Sequence, residues 1–149
     1  MRNRFFEETP TPQSVLSDDY APSEDEPFMN PNQKKYFRNK LLRWREELMH
    51  NSLETFHHLQ ETSAASGPDF ADKASVEEEL LSELRARDRE RKLIVKIEEA
   101  LHRIDDGSYG YCEETGEQIS LRRLEARPVA TLSIEAQERR ERYERVYRA

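Results

Sequence analysis

The chain has 149 residues, a net charge of −7, and 37% charged against 35% hydrophobic residues. That balance is too polar for a thick three-layer core, and no apolar run approaches the ~20 residues a membrane-crossing helix needs. The overall acidity argues against a broad basic face for duplex DNA, and a lone cysteine excludes an internal disulfide, which suits a reducing, cytoplasmic compartment.

Residues 1–31 contain Pro10, Pro12, Pro22, Pro27 and Pro31 without sustained periodicity, and read as an irregular segment that packs on a globular end. The opening MRNRFFEETPTPQSV has two arginines but no apolar stretch after them, so no secretory signal is expected. Charge is unevenly spread. Residues 1–31 hold two arginines against seven acids, whereas residues 120–149 hold eight arginines against five glutamates. An acidic head and a basic tail can therefore meet at one end of the molecule.

The first strong helix signal follows. Asn30 suits an N-cap and Pro31 the first helical position. Phe37, Leu41, Trp44 and Leu48 are spaced as a seam packed on one partner, and Leu53, Phe56 and Leu59 extend the stripe to about Thr62. SAASGPDFADKAS, with Gly67-Pro68 at its centre, breaks the pattern. A second helix is capped by Asp72 or Ser75, the latter at capping-box spacing from Glu78. Leu80, Leu84, Ile94, Ile97, Leu101 and Ile104 give its seam, and Asp105-Asp106-Gly107 its stop. Two helices of roughly 33 residues joined by a short turn make an antiparallel hairpin about 50 Å long over 32–106, its tip near 66–75. Between its apolar halves the second helix reads LRARDRERKL, either a solvated stretch or a basic contact surface.

Residues 107–132 carry Gly110, Gly116 and Pro128 and read as a compact, non-helical knuckle. The last segment, 133–149, reads as a helix capped by Ser133. It places Glu135–Arg139, Glu138–Arg142, Glu141–Arg145 and Glu144–Arg148 at i,i+4.

Two features bear on chemistry. Cys112-x-x-Thr115, with Ser133 and Ala136 further on, has the spacing of a four-cysteine zinc site but supplies one thiol. A neutral hydroxyl is a poor zinc ligand and alanine is none, so no zinc is expected. Cys112 is then a small buried residue or a candidate redox thiol. Asp69 and Asp72 sit at the hairpin tip, farthest from the globular end, and two acids on a rod form a probe. No nucleophile elbow, phosphate loop or HExxH motif accompanies them, so no catalysis is expected.

PDFADKAS, EEELLSELRARDRERKLIVKIEEAL, YGYCE and RRLEARPVATL, spread over residues 68–132 at this spacing, resemble the DksA family of bacterial transcription factors (TraR/DksA type). The resemblance implies a mainly α fold. A coiled-coil hairpin projects from a small globular end, which carries a zinc-finger-like knuckle lacking metal ligands and a C-terminal helix. It also implies a monomeric, non-enzymatic regulator of the stringent-response type. Such a regulator enters the secondary channel of RNA polymerase and acts with ppGpp, without specific DNA or membrane contact. Residue by residue, Asp69, Asp72 and Ala74 match the family's tip motif near the polymerase active site. Arg89, Leu93, Lys96 and Arg127 match positions at or near ppGpp, while a family lysine in the last helix falls on Gln137. Cys112, Thr115, Ser133 and Ala136 occupy the family's zinc positions, so the resemblance is to its cysteine-poor, zinc-free members. An alternative is a transcript-cleavage factor like the Gre proteins, which also deliver acids on a hairpin tip. A third is a helical adaptor for another partner.

Overall fold

A computed structural model describes Leu16 and residues 19–65 and 70–148, and for 62–65 and 70–72 the backbone alone. The chain order is α1 (Pro31–Ala65), α2 (Phe70–Asp106), α3 (Leu121–Ala126) and α4 (Ile134–Tyr147). The fold is mainly helical, a long hairpin of α1 and α2 on a small globular base. The sole β-type pairing among the described residues is an isolated antiparallel bridge, Tyr111 with Gln118.

Asn30 caps α1 as expected, its Oδ1 accepting from Gln33 N–H at 3.0 Å. α2 starts earlier than expected. Both Asp72 and Ser75 lie inside it, so neither is its cap. Its end is sharp because Gly107 takes φ +86° and the Ser108 and Tyr109 amides return to Arg103 O at 3.0 and 3.1 Å.

Arg38 pairs with Asp105, Ser52 with Glu90, Phe56 with Arg87 and His58 with Glu83. Partners on α2 step down as those on α1 step up, which is the register of an antiparallel pair. Packing along the pair is uneven. Phe37, Leu41 and Leu48 are buried on α1, and Ile97, Ala100, Leu101 and Ile104 on α2. Beyond them, toward the tip, no described residue of either helix is buried. Leu53 and Leu84, expected in the seam, are 59% and 51% exposed.

The base closes over the proximal seam. Tyr109, Cys112 and Ile119 from the knuckle, Leu124 from α3, then Val129, Ala130, Leu132 and Ala136 complete one core. Phe37 and Tyr109 pack with ring centroids 5.7 Å apart, and Tyr109 donates its hydroxyl to Pro128 O at 2.7 Å. The segment before α1 joins this core through Met29, and Phe28 lies edge-on to Tyr111 at 5.5 Å.

The knuckle is not wholly non-helical. Ser120 Oγ accepts from Arg123 N–H at 3.2 Å and starts the six-residue α3. Ser133 caps α4, accepting from Ala136 N–H at 3.2 Å. None of the four i,i+4 Glu–Arg pairs of α4 closes as an ion pair among the described residues. Arg140 reaches Glu114 of the knuckle at 3.2 Å instead, tying α4 to the base.

Candidate functional site

Where the hairpin meets the base, α2, the segment around α3 and α4 enclose an open cleft of about 380 Å³. α2 contributes Lys96 and Arg103 to its lining, one heptad apart and thus on one face. Arg123 and Arg127 enter from α3 and its C-cap, and Gln137 and Arg140 from α4. The acids of the lining are Glu99 and Glu113, so cations outnumber carboxylates by five to two.

Two of these cations are already engaged. Arg123 Nε donates to Leu132 O at 2.8 Å, and Arg140 is held by Glu114. Gln137 turns its amide to Glu141 Oε1 at 3.0 Å. Arg103 differs: its Nη2 is buried without a hydrogen-bond partner. A guanidinium nitrogen cut off from water and left unpaired is costly, and an anion in the cleft would satisfy it.

Lys96, Arg127 and Gln137, singled out in the sequence, are thus brought together. Leu93 packs partly buried against the core one turn before Ile97, and Arg89 is exposed farther toward the tip. Neither lines the cleft. Arg103 and Arg123 were missed, although Arg103 follows Lys96 by seven residues and Arg127 follows Arg123 by four, both same-face spacings. At the tip, Ala74 is exposed on α2. Asp69 and the side chain of Asp72 lie outside the described residues.

The knuckle is held by backbone hydrogen bonds. Gly110 O accepts from Ile119 N–H at 2.7 Å, Glu117 O from Cys112 N–H at 2.8 Å, and Thr131 O from Glu113 N–H at 2.9 Å. Cys112 is buried inside it. Burial pushes the thiol up, but the Thr115 hydroxyl and the backbone amides of Ser133, Thr115 and Glu114 outweigh it and bring the pKa down to about 6.

The family model for the DnaK suppressor protein DksA, N-terminal domain, matches residues 33–104, and that for the prokaryotic dksA/traR C4-type zinc finger matches residues 107–142. A curated relative from Caulobacter vibrioides, "RNA polymerase-binding transcription factor DksA", is 61% identical over 134 residues, 90% of this chain and 94% of its own length. The chain belongs to the DksA family. The Escherichia coli relative of the same description is 47% identical over 116 residues, covering 78% of this chain and 76% of that one. The solved "Structure of transcription factor DksA2 from Pseudomonas aeruginosa" aligns with a TM-score of 0.74 at 49% identity, over 79% of this chain and 90% of that one.

The match at residues 107–142 corrects the expectation of no zinc, because the family model there is a C4-type zinc finger and points to zinc binding. The expectation noted the finger's spacing but weighed the missing thiols above it, whereas the segment as a whole matches the finger's family model. The residues present do not supply a four-cysteine set, however. Cys112 offers one buried thiol of lowered pKa. The Thr115 hydroxyl accepts from Glu117 N–H at 3.3 Å, the Ser133 hydroxyl caps α4, and Ala136 has no donor atom. No step below is routed through a metal in the knuckle.

Proposed function

We propose that this chain regulates transcription by binding RNA polymerase, its hairpin entering the secondary channel tip first. Asp69 and Asp72 then lie near the polymerase active site, with Ala74 beside them, and alter the stability of initiation complexes without reading a DNA sequence. The observation that carries this reading is the division of the hairpin. Its proximal part is locked into the base, whereas its distal part is a thin arm with no buried residue among those described. Such an arm presents both faces to the walls of a narrow channel, and the relatives named as RNA polymerase-binding transcription factors support that partner.

ppGpp is the co-effector in this reading. A polyphosphate suits a cleft where Lys96, Arg103 and Arg127 converge, and guanidinium groups favour phosphate oxygens. Arg89 and Leu93 continue the same helix toward the tip and complete the surface that faces polymerase, with ppGpp held between the two proteins. Gln137 cannot supply the cation of the family lysine; Arg139, or Arg140 on release from Glu114, would compensate from the same helix. The protein acts as a cytoplasmic monomer. Among the described residues, no helix is long and apolar enough to cross a membrane. Cys112 is buried in the knuckle, which favours a structural role over that of a redox thiol.

A photo-crosslinking residue at position 74 tests the docking. Irradiation of the complex with RNA polymerase should label segments that line the secondary channel close to the active site. Labelling confined to the outer surface of polymerase would overturn the reading.

A further inference from the structure

Toward the tip the hairpin has little apolar glue, and the contacts that tie its helices there are polar. Ser52 donates to Glu90 at 3.0 Å, and the Arg87 guanidinium lies 5.4 Å from the Phe56 ring centre. Closer still to the tip, His58 of α1 meets two carboxylates of α2. Its Nε2 is 3.3 Å from Glu83 Oε1 and 3.8 Å from Glu79 Oε1, and one donor atom from each of the three residues falls within 4.8 Å of the others.

The triad joins an imidazole of α1 to two carboxylates of α2. Glu79 and Glu83 are i,i+4, so the helix stacks two negative charges that repel when nothing compensates them. His58 lies between them, but at spacings longer than the ~2.7–2.9 Å of a good charge-assisted hydrogen bond. The 3.3 Å spacing to Glu83 matches a different arrangement, and the 3.8 Å spacing to Glu79 lies a few tenths of an ångström beyond it. Ligands held tetrahedrally at about 2.0–2.2 Å from a zinc ion stand roughly 3.3–3.6 Å apart. Glu83 is also partly fixed, its side chain only 22% exposed.

We propose that His58, Glu79 and Glu83 form a binding site for a divalent transition-metal ion of the zinc type. One imidazole and two carboxylates would occupy three positions and water the rest. Because the ligands come from both helices, the ion clamps α1 to α2 about 10 Å before the end of α1. It fixes the register of the arm where packing does not. The site lies at the opposite end of the hairpin from Cys112 and is independent of any metal in the knuckle.

Metal-stripped full-length protein titrated with Zn²⁺ alone, followed by calorimetry and by the imidazole NMR signals of His58, tests the site. Wild type should bind zinc with displacement of the His58 resonances and a higher midpoint of thermal unfolding. Loss of outer-sphere partners alone costs metal sites about 10–100-fold, so His58→Gln and Glu83→Gln should each weaken this event by at least about tenfold. All three side chains reach solvent, so the variants should keep wild-type helicity, checked by circular dichroism. A zinc event in wild type that persists unchanged in His58→Gln overturns the proposal. So does the absence of any zinc effect on the His58 signals.

Discussion

Gln33 gives the sharpest test of how the segment before α1 is held to the base. It is fully buried, and each end of its amide is used. Oε1 accepts from Met29 N–H at 2.8 Å, while Nε2 donates to Ser23 O at 3.2 Å and reaches Glu26 Oε2 at 3.3 Å. Replacing it by methionine keeps length and volume and removes both polar functions. Two of the three partners retain other bonds: Ser23 O still accepts from Glu26 N–H at 3.2 Å, and Glu26 still accepts from the Tyr20 hydroxyl at 2.6 Å. Met29 N–H, at a residue with φ +52°, is the group left without its acceptor. Orphaning one buried amide costs about 1–3 kcal/mol, which is the expected loss for Gln33→Met. Gln33→Ala adds a cavity and on the order of 1 kcal/mol more. Urea unfolding should show a lower midpoint at unchanged slope, and thermal unfolding a drop of roughly 2–4 °C per kcal/mol. A Gln33→Met protein within about 0.5 kcal/mol of wild type would refute the reasoning, since that is the scatter of inert substitutions.

Gly110 and Gly116 both have positive φ, +89° and +72°, but a Cβ at Gly110 would meet the Phe28 ring at 3.0 Å whereas one at Gly116 would meet nothing within 4 Å. Gly116→Ala should therefore cost about 1–2 kcal/mol in urea unfolding and Gly110→Ala about 2–4, and equal costs would contradict the packing argument. Burial tends to raise the Glu125 pKa, but Lys40 Nζ at 2.7 Å and the Tyr36 hydroxyl at 2.5 Å outweigh it and hold the carboxyl below its usual range. A depressed carboxyl pKa contributes stability above the unfolded-state value and loses it as pH falls through the folded one. Lys40→Met should thus raise the Glu125 pKa in a carboxyl NMR titration and shrink the share of stability that is lost on acidification; an unmoved titration would remove Lys40 from the account. In the cleft, Lys96→Ala and Arg127→Ala should reduce the added effect of ppGpp on transcription. Lys92→Ala should not, because Lys92 is exposed and paired with Asp88 at 3.0 Å.

Much of the architecture was legible because it is local or periodic. The Asn30 and Ser133 caps, the Gly107 stop and the Phe37–Leu41–Leu48 seam depend on residues within a few turns of each other. Periodicity tells which residues face a partner, not how much covers them. Leu53 and Leu84 keep the seam spacing yet remain half exposed, because a two-helix arm has no third layer. The short α3 was hidden in a segment punctuated by Gly116 and Pro128, where six residues are too few for a periodic signal. α4 also misled. Its Glu–Arg ladder suggested pairs within the helix, but Arg140 finds Glu114 across the base, a contact no spacing rule contains. The cleft shows the same limit. Lys96 and Arg127 were singled out through resemblance, whereas the burial of Arg103 Nη2 arises only when α2, α3 and α4 converge. The zinc expectation failed for another reason, since one thiol was weighed more heavily than a preserved finger scaffold.

The central claim is that the acids at the tip act inside RNA polymerase while the rest of the chain delivers them. The most direct measurement is transcription by purified polymerase from a ppGpp-sensitive promoter, with and without ppGpp, comparing wild type with the double variant Asp69→Asn/Asp72→Asn. The account predicts that the variant binds polymerase about as well as wild type but no longer alters transcription. Full regulation by the variant would contradict it.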